Sequence, residues 1–176
     1  MIDREWLETY PLDRDINAYR KKCERYLCTT RFNNQTFLEN RRYVDKIKSQ
    51  CLYSNPYGLP SYIKKDAFVY VLEMNNEEDK IMGIGRVRND LQYKIYRVYD
   101  EACYNQYHFV GNKRKSCSDM NEKEKELISA LEDVCFKGRG HLKRGHRMLS
   151  FPWRILYLCH QNGLDIIAEI DKMMEK

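Results

Sequence analysis

The run from Phe68 to Asn89, FVYVLEMNNEEDKIMGIGRVRN, constrains the fold more than any other part of the chain. Phe68 to Met74 is dense in β-branched and aromatic residues, which fit a pleated, half-buried surface. A polar turn, Asn75 to Lys80, separates it from a second run, Ile81 to Asn89, and the pair predicts a β-hairpin. In the second strand Ile81, Gly83, Gly85 and Val87 share one face, and Met82, Ile84, Arg86 and Arg88 the other. Two glycines at i and i+2 on one face leave a gap that a backbone, a ring or a ligand can enter.

Around the hairpin the grammar is mixed. CLYSNPYGLPSYI, from Cys51, carries two prolines and a glycine and predicts an extended, turning path. Lys94 to Glu101 and Tyr104 to Val110 read as third and fourth strands. Upstream, Ile16, Tyr19, Cys23, Tyr26 and Leu27 follow a helical period. TTRFNNQT then reads as a polar connection. Thr36 and Glu39 have capping-box spacing ahead of a helix over Phe37 to Ser49, and Asp119 and Glu122 ahead of one carrying Leu127, Ile128, Leu131, Val134 and Cys135. In the last helix Ile166, Ile167, Ile170, Met173 and Met174 form an apolar stripe, read as core packing, with a protein-partner surface as the alternative. Helices, a small mostly antiparallel sheet, then helices make an α+β chain. The expected organisation is a helical N-terminal extension over 1–50, a sheet domain with an inserted helix over 51–152, and a C-terminal helix packing on it over 153–176.

No run approaches the roughly 18 apolar residues a membrane span needs, and the chain opens without an apolar leader. The seven cysteines include no CxxC pair and follow no zinc or secreted-framework spacing, so reduced, mostly buried thiols and an intracellular location, host cytoplasm or nucleus, are expected.

The net charge is only +5, yet FKGRGHLKRGHR, Phe136 to Arg147, packs Lys137, Arg139, Lys143, Arg144 and Arg147 into twelve residues with no acid. Gly138, Gly140 and Gly145 punctuate it. Guanidinium forks and backbone N–H groups freed by glycine both suit phosphate oxygens. Concentrated charge of this kind predicts an anionic partner, foremost a nucleic acid, with a solvated loop as the bland alternative. Lys113, Arg114 and Lys115 are expected at the edge of the same groove. Fourteen tyrosines against six phenylalanines favour rings with a stacking face and a polar tip. Tyr53, Tyr107 and Phe109 are the candidates to stack on an unstacked base, His141 to join them, and Gly83 and Gly85 to give the space beneath.

Several chemistries lack support. Gly83-Ile84-Gly85 misses the third glycine and following helix of a dinucleotide fingerprint, and no GxxxxGK[ST] occurs. No HxH, HExxH or carboxylate pair accompanies the histidines, so no metal site, cofactor or catalytic residue is assigned. His141 or His146 among cations carries the rival reading, a phosphodiester-cleaving or base-modifying enzyme, although the loop holds no second acid.

The blocks FVYVLEMNN and KIMGIGRVRN, followed by KIYRVYD and an aromatic-basic strand, resemble the PUA-like β-barrels, the superfamily of PUA, ASCH, EVE and YTH domains; EVE-like members have a similar G-I-G-x-V strand. CLYSNP, VLEMNN, IMGIGRVRN, YNQYHFVGNKR and CFKGRGHLKRGHRMLSFP, spanning Cys51 to Pro152, look more closely like a protein family of large nucleocytoplasmic DNA viruses, which brings no activity with it. The PUA-like resemblance implies a small barrel binding RNA or a modified base at the rim of its sheet. The GxKxxExR pattern of ASCH proteins and the tryptophan cage of YTH readers are absent. The expectation is a PUA-like barrel binding RNA or single-stranded DNA, with no membrane partner. Its rivals are the enzyme above and a viral structural or assembly protein that docks an acidic partner.

Overall fold

The computed structural model describes residues 2–91, 94–145 and 148–175. Two helices open the chain, α1 (Arg4–Glu8) and α2 (Asp13–Lys22). They lead into β1 (Arg25–Phe32), followed by α3 (Asn34–Lys46) and β2 (Cys51–Asn55). The expected hairpin forms as β3 (Phe68–Asn75) and β4 (Lys80–Arg88), paired antiparallel with Val71 opposite Gly85. Next come β5 (Tyr107–Gly111), β6 (Lys113–Ser116), α4 (Glu122–Phe136), β7 (Leu149–Ser150), α5 (Trp153–Gln161) and α6 (Ile166–Glu175). The chain is α+β.

The strands form a five-stranded sheet in the order β6-β4-β3-β1-β7 and a separate ribbon of β2 with β5. Its pairings are antiparallel except β1 with β3, which run parallel with Arg25 opposite Phe68 and Phe32 opposite Asn75. Among the described residues the expected barrel is not closed, because β6 and β7 end the sheet as edges. β5 and β6 are one run interrupted at Asn112, the first half pairing with β2 and the second with β4.

Residues 25–32 correct the expected helical extension. The helix stops at Lys22, and β1 lies inside the sheet. Tyr26, Leu27, Cys28, Thr29 and Thr30 are all buried, so the strand lacks the alternation that marks a one-sided sheet, and periodicity cannot tell such a run from a buried helix. Residues 94–101 are the second correction, because they form no strand. Their backbone groups bond to side chains instead: Tyr96 N–H to His108 Nε2 at 3.3 Å, Val98 and Tyr99 N–H to Asn105 Oδ1 at 2.8 and 3.1 Å. A ladder is unnecessary once those groups have partners. Both capping boxes are present but shifted, to Asn33 with Thr36 and Asn121 with Glu124. The C-terminal region is two helices, broken at Gly163 with φ +83°, a conformation that favours glycine. All five residues of its apolar stripe are buried, so that face is core rather than a free partner surface. No helix among the described residues is long and apolar enough to cross a membrane.

Candidate functional site

The gap at Gly83 and Gly85 is filled from within. A Cβ at Gly85 would overlap the Tyr53 hydroxyl and lie 2.7 Å from Tyr53 Cζ. One at Gly83 would lie 2.8 Å from Arg114 Nη2 and 3.0 Å from Glu73 Oε2. Beneath the glycines, Tyr53 donates to Glu73 Oε1 at 2.8 Å, and Arg114 grips the same carboxylate through Nε and Nη2, the shortest contact 2.6 Å. Met82 and Gly83 together oppose Glu73 across the hairpin, a bulge that re-aims its side chain into this network. Tyr53 and Glu73 are each 1% exposed. Burial, then the Glu73 charge, push the Tyr53 phenol well up; burial opposes the charge on Arg114, but its bonds to Glu73 outweigh that and raise its pKa.

Several residues expected at a ligand are thus structural. Tyr53 and Phe109 are core and offer no face to a base. Tyr107 is half-buried and sits over Gly58. Arg114 is spent on Glu73. Lys115 pairs with Glu124 at 2.9 Å, and Lys113 bonds Met174 O at 3.2 Å and Glu175 at 3.2 Å. These lysines tie the β6 edge to α4 and α6.

The basic loop is anchored at its middle. Leu142 N–H donates to Cys135 O at 2.7 Å, Arg31 Nε to Leu142 O at 2.7 Å, and Asn76 Nδ2 to Lys143 O at 3.0 Å. Lys137 pairs with Asp133 at 2.5 Å and Lys143 with Asp79, while Arg139 and Arg144 are exposed. Gly138 and Gly145 take φ of +78° and +108°, so the path needs glycine at both. His141 is half-buried, its Nδ1 without a partner among the described residues. His146 and Arg147 lie outside the described residues.

The loop's anchors lead to a pocket of about 270 Å³ that motif reading does not find. It opens where β1, β2 and β3 end, and is lined by Thr30, Arg31, Phe32, Asn33, Thr36, Ser54, Asn55, Asn76, Tyr99, Glu101 and Tyr104. Two buried amide atoms among these residues, Asn55 Nδ2 and Asn76 Oδ1, have no partner among the described residues. Neither amide is free to flip. Asn55 Oδ1 accepts Met148 N–H at 3.1 Å, which leaves its NH₂ over; Asn76 Nδ2 donates to Lys143 O, which leaves its carbonyl over. Each of these two lining residues thus carries one buried, oriented amide atom without a partner among the described residues, a donor on Asn55 and an acceptor on Asn76. Ser54 is set by His108. Because Nε2 accepts from Tyr96 N–H, the neutral ring carries its proton on Nδ1 and donates it to Ser54 Oγ at 2.8 Å. Burial holds the His108 imidazolium below its ordinary value, and burial likewise lowers Arg31. The Tyr99 hydroxyl, its pKa raised by burial, accepts from Asn40 Nδ2 at 3.2 Å.

A larger groove of about 1160 Å³ runs between α1, α4 and α5, lined by Ile2, Trp6, Leu7, Val134 and Ile155 with a few polar groups. Some of those polar groups are engaged: Asp3 caps α1, Lys137 pairs with Asp133, and Arg154 donates to the carbonyls of Leu7 and Thr9. Buried amide atoms without partners among the described residues mark the smaller pocket as the candidate site. Among the described residues no three of His, Cys, Asp and Glu gather to hold a metal.

Sequence reasoning missed Asn55, Asn76, Arg31 and Tyr99. The available signal was asparagine at three strand ends, in RFNN, SNP and EMNN. No protein-family model, curated protein or solved structure matches the chain.

Proposed function

We propose that the protein binds single-stranded nucleic acid, RNA or DNA, seating one unstacked base in the pocket at the ends of β1, β2 and β3 while Arg139, Lys143 and Arg144 meet the adjacent phosphates. The observation that carries this reading is that the pocket and the loop are one unit. Asn76 and Arg31 line the pocket and hold the loop backbone at Lys143 and Leu142. A volume of about 270 Å³ is just below the roughly 300–1,000 Å³ of drug-sized sites and suits a single small ring system. An acceptor–donor base edge would supply the partners that Asn55 Nδ2 and Asn76 Oδ1 lack among the described residues, and Tyr99 and Tyr104 line the same pocket. We also infer a PUA-like relationship, in a form whose strands stay open. Its support is the β5–β6 run that passes from the ribbon into the sheet.

The test is fluorescence anisotropy with labelled single-stranded oligonucleotides. Asn55→Asp keeps the Oδ1 that holds Met148 and replaces the free donor by an acceptor. It is expected to weaken binding by about tenfold or more and to change base preference. Arg139→Ala with Arg144→Ala is expected to weaken all sequences alike and to flatten the salt dependence by about 0.7 per lost contact. Absence of saturable binding by the wild-type chain overturns the reading. Cleavage lost on His141→Ala replaces it with the enzyme.

A further inference from the structure

We propose a second phosphate-binding surface beside the pocket, formed by α3 and residues 94–97. This inference rests on the nucleic-acid reading above. The loop adjoins the wall of Arg31, Asn55 and Asn76. The same pocket is also lined by Thr36 at the start of α3 and by Tyr99, Glu101 and Tyr104. Both of these elements carry cations as they leave the pocket. From Thr36, α3 runs about 15 Å to Lys46, presenting exposed Arg42 and Lys46. Upstream of Tyr99 stand exposed Lys94 and Arg97.

The two sets meet. Tyr43 of α3 and Tyr96 pack edge-on with centroids 6.2 Å apart. Lys46 Nζ lies 5.8 Å from the Tyr43 centroid and Lys94 Nζ 5.4 Å from that of Tyr96. Asn40 ties the elements together through Tyr99, and Val44, Leu52, Tyr96 and Val98 form a small core of their own beneath. Lys46 and Lys94 are thus held on one supported surface, with exposed Arg42 and Arg97 in the same two elements. Among the described residues none of Arg42, Lys46, Lys94 and Arg97 forms an ion pair, in contrast to Lys137 and Lys143 of the loop. Asp45, Asp100 and Glu101 lie in the same elements, so the surface is not uniformly basic.

Between Lys94 and Arg97, Ile95 is 77% exposed, an apolar surface flanked by cations. Cations with apolar and aromatic surface interleaved are what an unstacked strand uses, its phosphates tracking the charges and a base resting on the apolar face. A strand whose base enters the pocket therefore meets the loop on one side and this surface on the other. The ligand class this defines is a single strand several nucleotides long, rather than a lone nucleotide.

The experiment compares a labelled nonanucleotide with a mononucleotide on the full chain. The triple variant Lys46→Ala, Lys94→Ala, Arg97→Ala removes only exposed side chains. The slope of log K against log salt for the nonanucleotide is expected to flatten by about 2, at about 0.7 per contact, with affinity near 0.1 M salt falling on the order of 100-fold. Mononucleotide binding should be unchanged. An unchanged nonanucleotide slope, while the Arg139 and Arg144 variant still flattens it, overturns this surface and leaves the pocket reading standing. Failure of the wild-type chain to bind either ligand overturns both.

Discussion

Adding one methyl group at Gly85 should cost this fold more than most single substitutions in its surface. The new Cβ overlaps the Tyr53 hydroxyl and lies 2.7 and 2.9 Å from Tyr53 Cζ and Cε2. Tyr53 cannot swing away cheaply, because it is 1% exposed and its strand pairs with β5 through Phe109. Displacing it breaks the 2.8 Å bond to Glu73. Overpacking of this kind costs about 1–3 kcal/mol and a hydrogen bond to a charged group about 1.5–3, so Gly85→Ala should lose about 2.5–6 kcal/mol. Tyr53→Phe removes the same hydroxyl without the overlap and should lose only the second part. In the double variant the bond to Glu73 is lost once rather than twice, and the hydroxyl no longer meets the methyl. Its cost should therefore fall short of the summed single costs by at least about 1.5 kcal/mol. Urea unfolding followed by tryptophan fluorescence measures all three, and each kcal/mol corresponds to roughly 2–4 °C in a thermal melt of a chain this long. Additive costs, or a Gly85→Ala variant as stable as wild type, would refute the assignment of these glycines as clearance for the Tyr53–Glu73–Arg114 network.

His108 gives a pH dependence with a definite sign. Its folded-state pKa is depressed below the ordinary 6.5 by burial, and its Nε2 must stay unprotonated to accept Tyr96 N–H. The unfolded chain then takes up the proton first, so stability is full above about pH 6.5 and is lost as pH falls through the folded value. His108→Gln should flatten that dependence in melts between pH 5 and 7, and an unchanged profile counts against it. The thiols of Cys28, Cys51 and Cys135 are pushed up to about 12, foremost by burial, so a thiol reagent at pH 7.5 should label exposed Cys103 far faster, as peptide mapping would show. Rapid modification of Cys28 in native protein would contradict its place in β1.

The hairpin was legible because its two strands are contiguous and their turn is polar, so period and punctuation agree. β1 was not, since a strand covered on both faces has no alternation to show and its Thr29-Thr30 pair reads as a polar connection. The capping boxes were displaced by two or three residues because asparagine caps a helix as well as threonine or aspartate does, and local spacing alone offers both registers. The glycine gap was legible as a gap; its occupants were not. Tyr53 and Arg114 do converge on Gly83 and Gly85, but to satisfy a buried Glu73 that arrives from the neighbouring strand of the hairpin. A sequence places a ring and a cation near a gap far more readily than it says whether they face in or out.

The pocket was illegible for a topological reason. Asn33, Asn55 and Asn76 each follow or close a strand, where asparagine ordinarily means a turn, and each taken alone needs no further account. They meet because β1 and β3 run parallel, with Phe32 opposite Asn75, so both chains leave the sheet at the same rim. That pairing depends on β1, the strand the sequence hides. Once it is in place, the turn after β3 docks on the start of α3, with Asn75 Nδ2 donating to Asn34 Oδ1 at 2.7 Å, and the loop after α4 is drawn onto Asn76 and Arg31. Two amides are then fixed by backbone partners, each with one atom unpaired among the described residues. The basic loop, the most conspicuous feature of the sequence, is fixed against a small polar pocket by these contacts, and the proposed reading, in which its exposed arginines address the phosphates beside a bound base, rests on that position.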